Sequence, residues 1–241
     1  MKIFKHIQNP SPLSRKNVVV MLLMYFVFYL LLIPIAMVLV DRLWIPGFLG
    51  WTYTEIIFHT IMTLVFLFLG SKLLHESNKH WSIMSIYVPI IAAMVMLWVS
   101  IFYGMALNSL TGQGDPVNQN LIYETFKTNK IAIMVQALIF APIVEEVIFR
   151  GVIYRHFKKA GRYLLPLIIS TLLFALMHSL NAILDGNWID LLYLPLYAFM
   201  SLILTYTYEQ TQNLYSSILL HFINNTISIL AMLYAIEHSI T

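Results

Sequence analysis

The 241-residue chain contains no cysteine, which removes disulfides, thiolate metal sites and cysteine nucleophiles together. Charge is scarce as well: Asp, Glu, Lys and Arg supply 10% of residues against 60% hydrophobic ones, and mean hydropathy is +0.79. Soluble globular chains do not have this balance. The sequence has no HExxH pair of zinc ligands, no repeat at solenoid spacing and no low-complexity tract. It also lacks a polar stretch large enough for a separate soluble core. What is present instead is material for a bilayer, and the chain reads as an all-α, polytopic transmembrane helical bundle.

Apolar runs lie near residues 18–40, 52–70, 83–107, 131–149, 164–180, 189–208 and 214–236. Each approaches the ~20 residues that cross a bilayer as helix, so about seven spans are expected. The first run is too long for a signal-peptide core and meets Asp41 and Arg42 with no small-residue cleavage site, so it should stay as an anchor. With the N-terminus cytoplasmic, the inner segments carry Lys2, Lys5, Arg15, Lys16, Lys72, Lys79, Arg150, Arg155, Lys158, Lys159 and Arg162. Only Arg42, Lys127 and Lys130 fall outside, as the positive-inside rule requires. Basic loops beside anionic headgroups account for the net charge of +3 without a nucleic-acid partner. The longest break, from Asn108 to about Asn129, combines turn formers with the amphipathic-looking LIYETF and is expected at the outer bilayer surface.

An ionisable side chain within a bilayer costs several kcal/mol, about 2.5–3.5 on insertion scales, so each one is a functional hypothesis. They cluster. Glu145 and Glu146 lie in the fourth run, His178 closes the fifth, and His221, Asn224 and Asn225 lie in the seventh. Glu146 and Arg150 are spaced i, i+4 and share a helix face, whereas Glu145 is rotated about 100° away. The Glu146–Arg150 pair alone could be purely structural, with Arg150 snorkelling. Counted from the inner boundaries, Glu145 lies about 15 Å deep, His178 about 21 Å, His221 about 14 Å and Asn225 about 20 Å. The four are expected to converge on one layer. Pro142 removes a helix hydrogen bond just before the acids and should loosen that span. A second i, i+4 pair, Glu55 and His59, sits near the outer interface and reads as anchoring.

The sequences Glu145-Glu146-x-x-x-Arg150, Phe174-x-x-x-His178 and His221-x-x-x-Asn225 resemble the three ordered motifs of the CAAX protease and bacteriocin-processing (CPBP, or Abi) family of intramembrane proteases. The resemblance covers about residues 130–236. It implies an N-terminal set of transmembrane helices with an outer loop at 1–129 and a catalytic helical core at 130–241. Glu145 would activate water with His178 beside it, His221 and Asn225 would hold the oxyanion or the water, and Glu146 with Arg150 would organise Glu145. Glu145, His178 and His221 also offer a carboxylate-and-imidazole set suited to Zn2+ with water in the open position; a metal-free glutamate mechanism is the alternative.

The implied activity is cleavage of a peptide bond in a membrane-associated protein or peptide precursor, in maturation, bacteriocin and immunity functions, or signalling. The short chain fits a member from a bacterial cytoplasmic membrane. A non-catalytic scaffold on the same fold and a proton-coupled carrier are the competing classes. Substrate, scissile bond and oligomeric state are not legible. The first three spans carry no motif and were expected to inform neither substrate nor activity.

Overall fold

The structure, a computed structural model, describes residues 11–43, 45, 52–112, 114–158 and 162–238. Lys2, Lys5, Lys159 and the Glu55 side chain, on which the orientation and the Glu55–His59 pairing drew, lie outside the described residues.

Helix α1 (Arg15–Leu43) starts at Ser14, whose Oγ accepts the Asn17 N–H at 3.2 Å and satisfies one of the four donors a helix start leaves open. Helices α2 (Thr52–Leu69) and α3 (Ser71–Asn78) meet at a 65° bend. The bend falls on Gly70, where an added Cβ would stand 2.9 Å from the Phe66 carbonyl oxygen and 3.1 Å from Val147 Cγ1. Only a residue without a side chain fits so close an approach. Helix α4 (Met84–Thr111) ends at Gly112, with φ +67°, and α5 (Val117–Thr128) follows. Then come α6 (Lys130–Phe157), α7 (Leu164–His178), the short α8 (Leu180–Leu184), α9 (Trp188–Thr211) and α10 (Leu214–His238).

Every apolar run expected to span is therefore helical. Helices α1, α4, α6, α9 and α10 are long and apolar enough to cross a membrane, and the bent α2–α3 pair makes six if it counts as one span. The shortfall from seven lies in α7, whose 15 residues reach only about 22 Å against the ~30 Å hydrocarbon core. Helix α5 confirms the amphipathic reading of LIYETF: it buries Phe126 with Ile133, Ile229 and Met232, and its first turn is tied down where Asp190 Oδ1 accepts the Val117 N–H at 2.9 Å.

Helix α6 is the centre of the bundle, packed by α1, α2, α7 and α10. The packing pairs give the directions. Tyr29 stacks on Phe58 and Tyr25 meets Phe66, while Met21 reaches Gly70, so α1 and α2 are antiparallel. His59 lies on Phe140 and Gly70 on Val147, so α2 and α6 run the same way. Helix α1 therefore runs against α6. One hydrophobic core joins the two regions, uniting Met21, Tyr25, Phe66 and Leu73 with Val147, Phe149, Phe174, Leu204 and Leu214.

At the inner end, Gly151 admits Leu73 so closely that a Cβ there would stand 2.8 Å from Leu73 Cδ1. Two ion pairs, Arg155–Glu76 and Lys158–Glu209, pin the last turn of α6 to α3 and α9.

Candidate active site

Helix α6 is not a regular α-helix through the site. Its Gln136–Phe140 and Val147–Tyr154 segments are π-helical, with the Ala141 N–H reaching back five residues to the Gln136 carbonyl. Pro142 supplies the cause: it has no N–H to give, so the carbonyls one turn earlier lose their ordinary partner and the ladder shifts register. The Ala137 carbonyl, which the N–H at position 142 would otherwise meet in this register, accepts Asn225 Nδ2 from α10 at 2.8 Å. The loosening expected at Pro142 is thus compensated by a specific side chain. The second π-helical segment is stitched in the same manner, with Ser170 Oγ of α7 donating to the Phe149 carbonyl at 2.9 Å.

The two adjacent glutamates are treated differently. Glu146 is fully buried, as is Arg150, and the pair closes at 2.9 Å between Arg150 Nη1 and Glu146 Oε1. The same oxygen accepts His221 Nδ1 at 2.9 Å. Arg150 Nη2 donates to both the carbonyl and the hydroxyl of Ser201 on α9, at 3.0 Å each, and its guanidinium lies over the Phe174 ring at 4.8 Å. Charge, hydrogen bonds and a π-face together compensate a buried cation.

Glu145 is half-buried, and its Oε2 is shielded from solvent with no hydrogen-bond partner. A buried acceptor left unmade costs about 1–3 kcal/mol. A donor that met this atom would remove that cost.

His178 stacks on Phe174 at 4.3 Å between centroids, and its Nδ1 stands 2.9 Å from the Phe174 carbonyl. A carbonyl can only accept, so Nδ1 carries the proton and Nε2 keeps its lone pair. The argument repeats for His221, whose Nδ1 faces an ionised carboxylate. Both imidazoles are thereby oriented by one nitrogen and present the other. His178 is within electrostatic reach of Glu145, His221 and Arg150, and its far side meets the Tyr197 ring at 5.1 Å.

The structure thus brings Glu145, Glu146, Arg150, His178 and His221 together around one layer. Asn225 joins them through the α6 backbone, about one turn further out. Asn224 lies beside Asn225, with Nδ2 3.5 Å from Asn225 Oδ1. Among the described residues no three His, Cys, Asp or Glu side chains form a group able to hold a metal ion. His221 turns its Nδ1 to Glu146 and His178 turns its Nδ1 to the Phe174 carbonyl, which leaves Nε2 of each as the nitrogen that could meet a ligand.

Three contributors escaped the sequence reading. Ser201 anchors Arg150, a contact of which spacing gave no hint, whereas Phe174 of the second motif meets His178 at its i, i+4 spacing and also carries Arg150. Tyr25 and Tyr29 of α1 are both within electrostatic reach of Glu145. Their i, i+4 spacing in an apolar run was the available signal. The His59 ring faces into the bundle, stacked on Phe140 at 5.9 Å and 3° and edge-on to Tyr29.

Comparison with known proteins agrees with this geometry. The chain is 40% identical over 89 residues to the UPF0177 protein YaiF of Lactococcus lactis subsp. lactis, a stretch covering 37% of this chain and 35% of that protein. It is 39% identical over 89 residues to the UPF0177 protein YaiH of the same organism, covering 37% of this chain and 33% of the relative. The chain thus spans about a third of the length of these curated relatives. No solved structure matches. Residues 127–227 match the Rce1-like family, described as type II CAAX prenyl endopeptidase Rce1-like, and this segment holds every one of the site residues from Glu145 to Asn225. In that segment the chain is similar to the CAAX protease family.

Proposed function

We propose that the protein is an intramembrane endopeptidase that hydrolyses a peptide bond in a membrane-associated protein or peptide precursor, with water activated by Glu145. The observation that carries this reading is the asymmetry of the two carboxylates. Glu146 is held through its Oε1 by Arg150 and His221, although its Oε2 is unmet like that of Glu145, whereas no hydrogen bond or ion pair reaches Glu145 among the described residues, and His178 is within its electrostatic reach.

The chemistry runs as general base catalysis. Glu145 takes a proton from a water whose oxygen bonds to the scissile carbonyl carbon. The tetrahedral oxyanion is met by the Asn225 amide hydrogen that the Ala137 carbonyl leaves free, and the neutral Nε2 atoms of His178 and His221 are acceptors that hold the attacking water. The proton held by Glu145 passes to the amine as the C–N bond breaks, which returns the carboxylate to its starting state. The Glu146–Arg150 pair keeps α6 in register and sets the field around Glu145.

Substrates of the class named by the family, prenylated proteins ending in a CAAX sequence, and unprenylated peptide precursors are the two groups to try. A bacterial cytoplasmic membrane, with the N-terminus inside, is the setting in which the basic segments fit. The test is cleavage of a quenched-fluorescent peptide panel of both groups by purified protein in liposomes, comparing wild type with Glu145→Ala and His178→Ala. Cleavage lost in both variants supports the protease; cleavage surviving in Glu145→Ala removes it. A chelator arm followed by zinc addition tests the alternative in which an ion held by Glu145, His178 and His221 supplies the activated water. Absence of cleavage across the panel by folded protein would move weight to a scaffold on the same fold.

A further inference from the structure

The family segment begins at residue 127, yet the wall of the site nearest Glu145 is built by α1 and α2, outside it. Because α1 runs against α6, levels can be matched residue by residue. Tyr25 packs edge-on against Phe149, with centroids 5.7 Å apart and planes at 85°. Four residues outward along α1 is Tyr29, and four residues back along α6 from Phe149 is Glu145. One turn along each helix therefore brings Tyr29 level with Glu145.

Independent contacts agree with this level. Tyr29 stacks on Tyr25 at 5.7 Å and on Phe58 at 5.9 Å, and His59 meets it edge-on at 5.8 Å. The same His59 ring lies flat on Phe140, just before the turn that carries the acids. Rings on two sides hold the phenol in place. The π-helical turn of α1, Met24–Leu32, contains both tyrosines and sets them on one face toward α6. Tyr25 is 2% exposed in an otherwise hydrocarbon core, an environment in which leucine or phenylalanine would pack without the cost of burying a hydroxyl.

We propose that Tyr29, supported by Tyr25 one turn inward, is a positioning residue for Glu145: its O–H is the donor that the unpartnered Glu145 oxygen takes when the site is set for reaction. Helix α1 is then part of the catalytic site rather than a mere anchor. The inference rests on the assignment of Glu145 as the base.

A donor to the carboxylate holds that oxygen in one orientation, so removing it frees the group to turn away from the water it must meet. The groups within electrostatic reach of Glu145 include Arg150 on its own helix, Tyr25 on α1 and His178 on α7; Glu146 is the next residue along α6, His221 meets that residue, and His59 and Tyr197 stand one ring away, against Tyr29 and His178. All of these remain in place in Tyr29→Phe, which also keeps the ring stack.

The experiment has two readouts on full-length protein in liposomes. The first is the infrared position of the Glu145 carboxylate stretch, identified by its loss in Glu145→Gln. The second is kcat and KM on whichever peptide of the panel wild type cleaves. Tyr29→Phe is expected to displace the carboxylate band, as loss of a hydrogen-bond donor does, and to lower kcat by about tenfold, with KM changed less than about twofold. Tyr25→Phe should show the same direction at smaller size, and Phe58→Leu, which loosens the stack without removing a hydroxyl, should move neither. An unmoved Glu145 band in Tyr29→Phe overturns the proposal, as does a displacement equalled by Phe58→Leu. The infrared arm needs no turnover, so it decides the role of Tyr29 even if no peptide is cleaved, a result that would count against the protease reading alone.

Discussion

The two faces of α6 solve opposite problems with the same side chain. On one face Glu146 is fully buried and closed in by Arg150, His221 and, through Arg150, Ser201. On the other, one residue earlier, no hydrogen bond or ion pair reaches Glu145 among the described residues, although each glutamate leaves its Oε2 unmet. A carboxylate whose partners are supplied internally contributes register and field. One without them keeps its oxygens open to a donor or a proton.

That contrast predicts a clean exchange of effects. Glu145→Gln should lower turnover by about 10²–10⁴-fold, the usual contribution of a general base, while leaving the thermal midpoint in detergent at or above that of wild type. Glu146→Gln should do the reverse in kind, losing stability first. If Glu145→Gln unfolded the protein and Glu146→Gln left it intact, the roles of the two faces would have to be swapped.

The next largest effect concerns the closed face itself. Arg150→Met leaves Glu146 as a buried charge with only His221 for company, and is expected to cost about 3–5 kcal/mol in chemical or thermal denaturation. Replacing both partners, Glu146→Met with Arg150→Met, should recover much of that, since an apolar pair of similar volume is often neutral. A double variant as unstable as the single one would show that His221 and Ser201, rather than the ion pair, carry the register.

The smallest effect sharpens the link between backbone and site. Asn225→Leu deprives the Ala137 carbonyl of its donor and should cost about 1–3 kcal/mol. Pro142→Ala in that background restores an N–H one turn away and should return part of the loss. No recovery would mean that the asparagine amide serves the chemistry rather than the helix.

Much of this was legible beforehand, and the reason differs for each part. The helices follow from apolar runs of spanning length, because a backbone in hydrocarbon must satisfy itself. The Glu146–Arg150 contact follows from i, i+4 spacing within one helix, because 3.6 residues per turn fix which side chains are neighbours. The three motifs on α6, α7 and α10 marked which helices had to meet. Less visible was the bend at Gly70, where the signal is a close approach to Val147 that no local pattern announces.

By itself, then, the sequence determined a polytopic helical bundle, its basic side, the fixed-spacing pairs and the likeness of its C-terminal segment to a known family. The tertiary structure alone decided which glutamate His221 would neutralise, that Asn225 would bond to the carbonyl freed by Pro142, that Ser201 and Phe174 would hold Arg150, and that two tyrosines of α1 would stand beside Glu145. Spacing along one helix sets the relations of its own side chains. Rotation, depth and direction of one helix against another are set by the packing of all of them at once, through contacts between residues up to 137 positions apart.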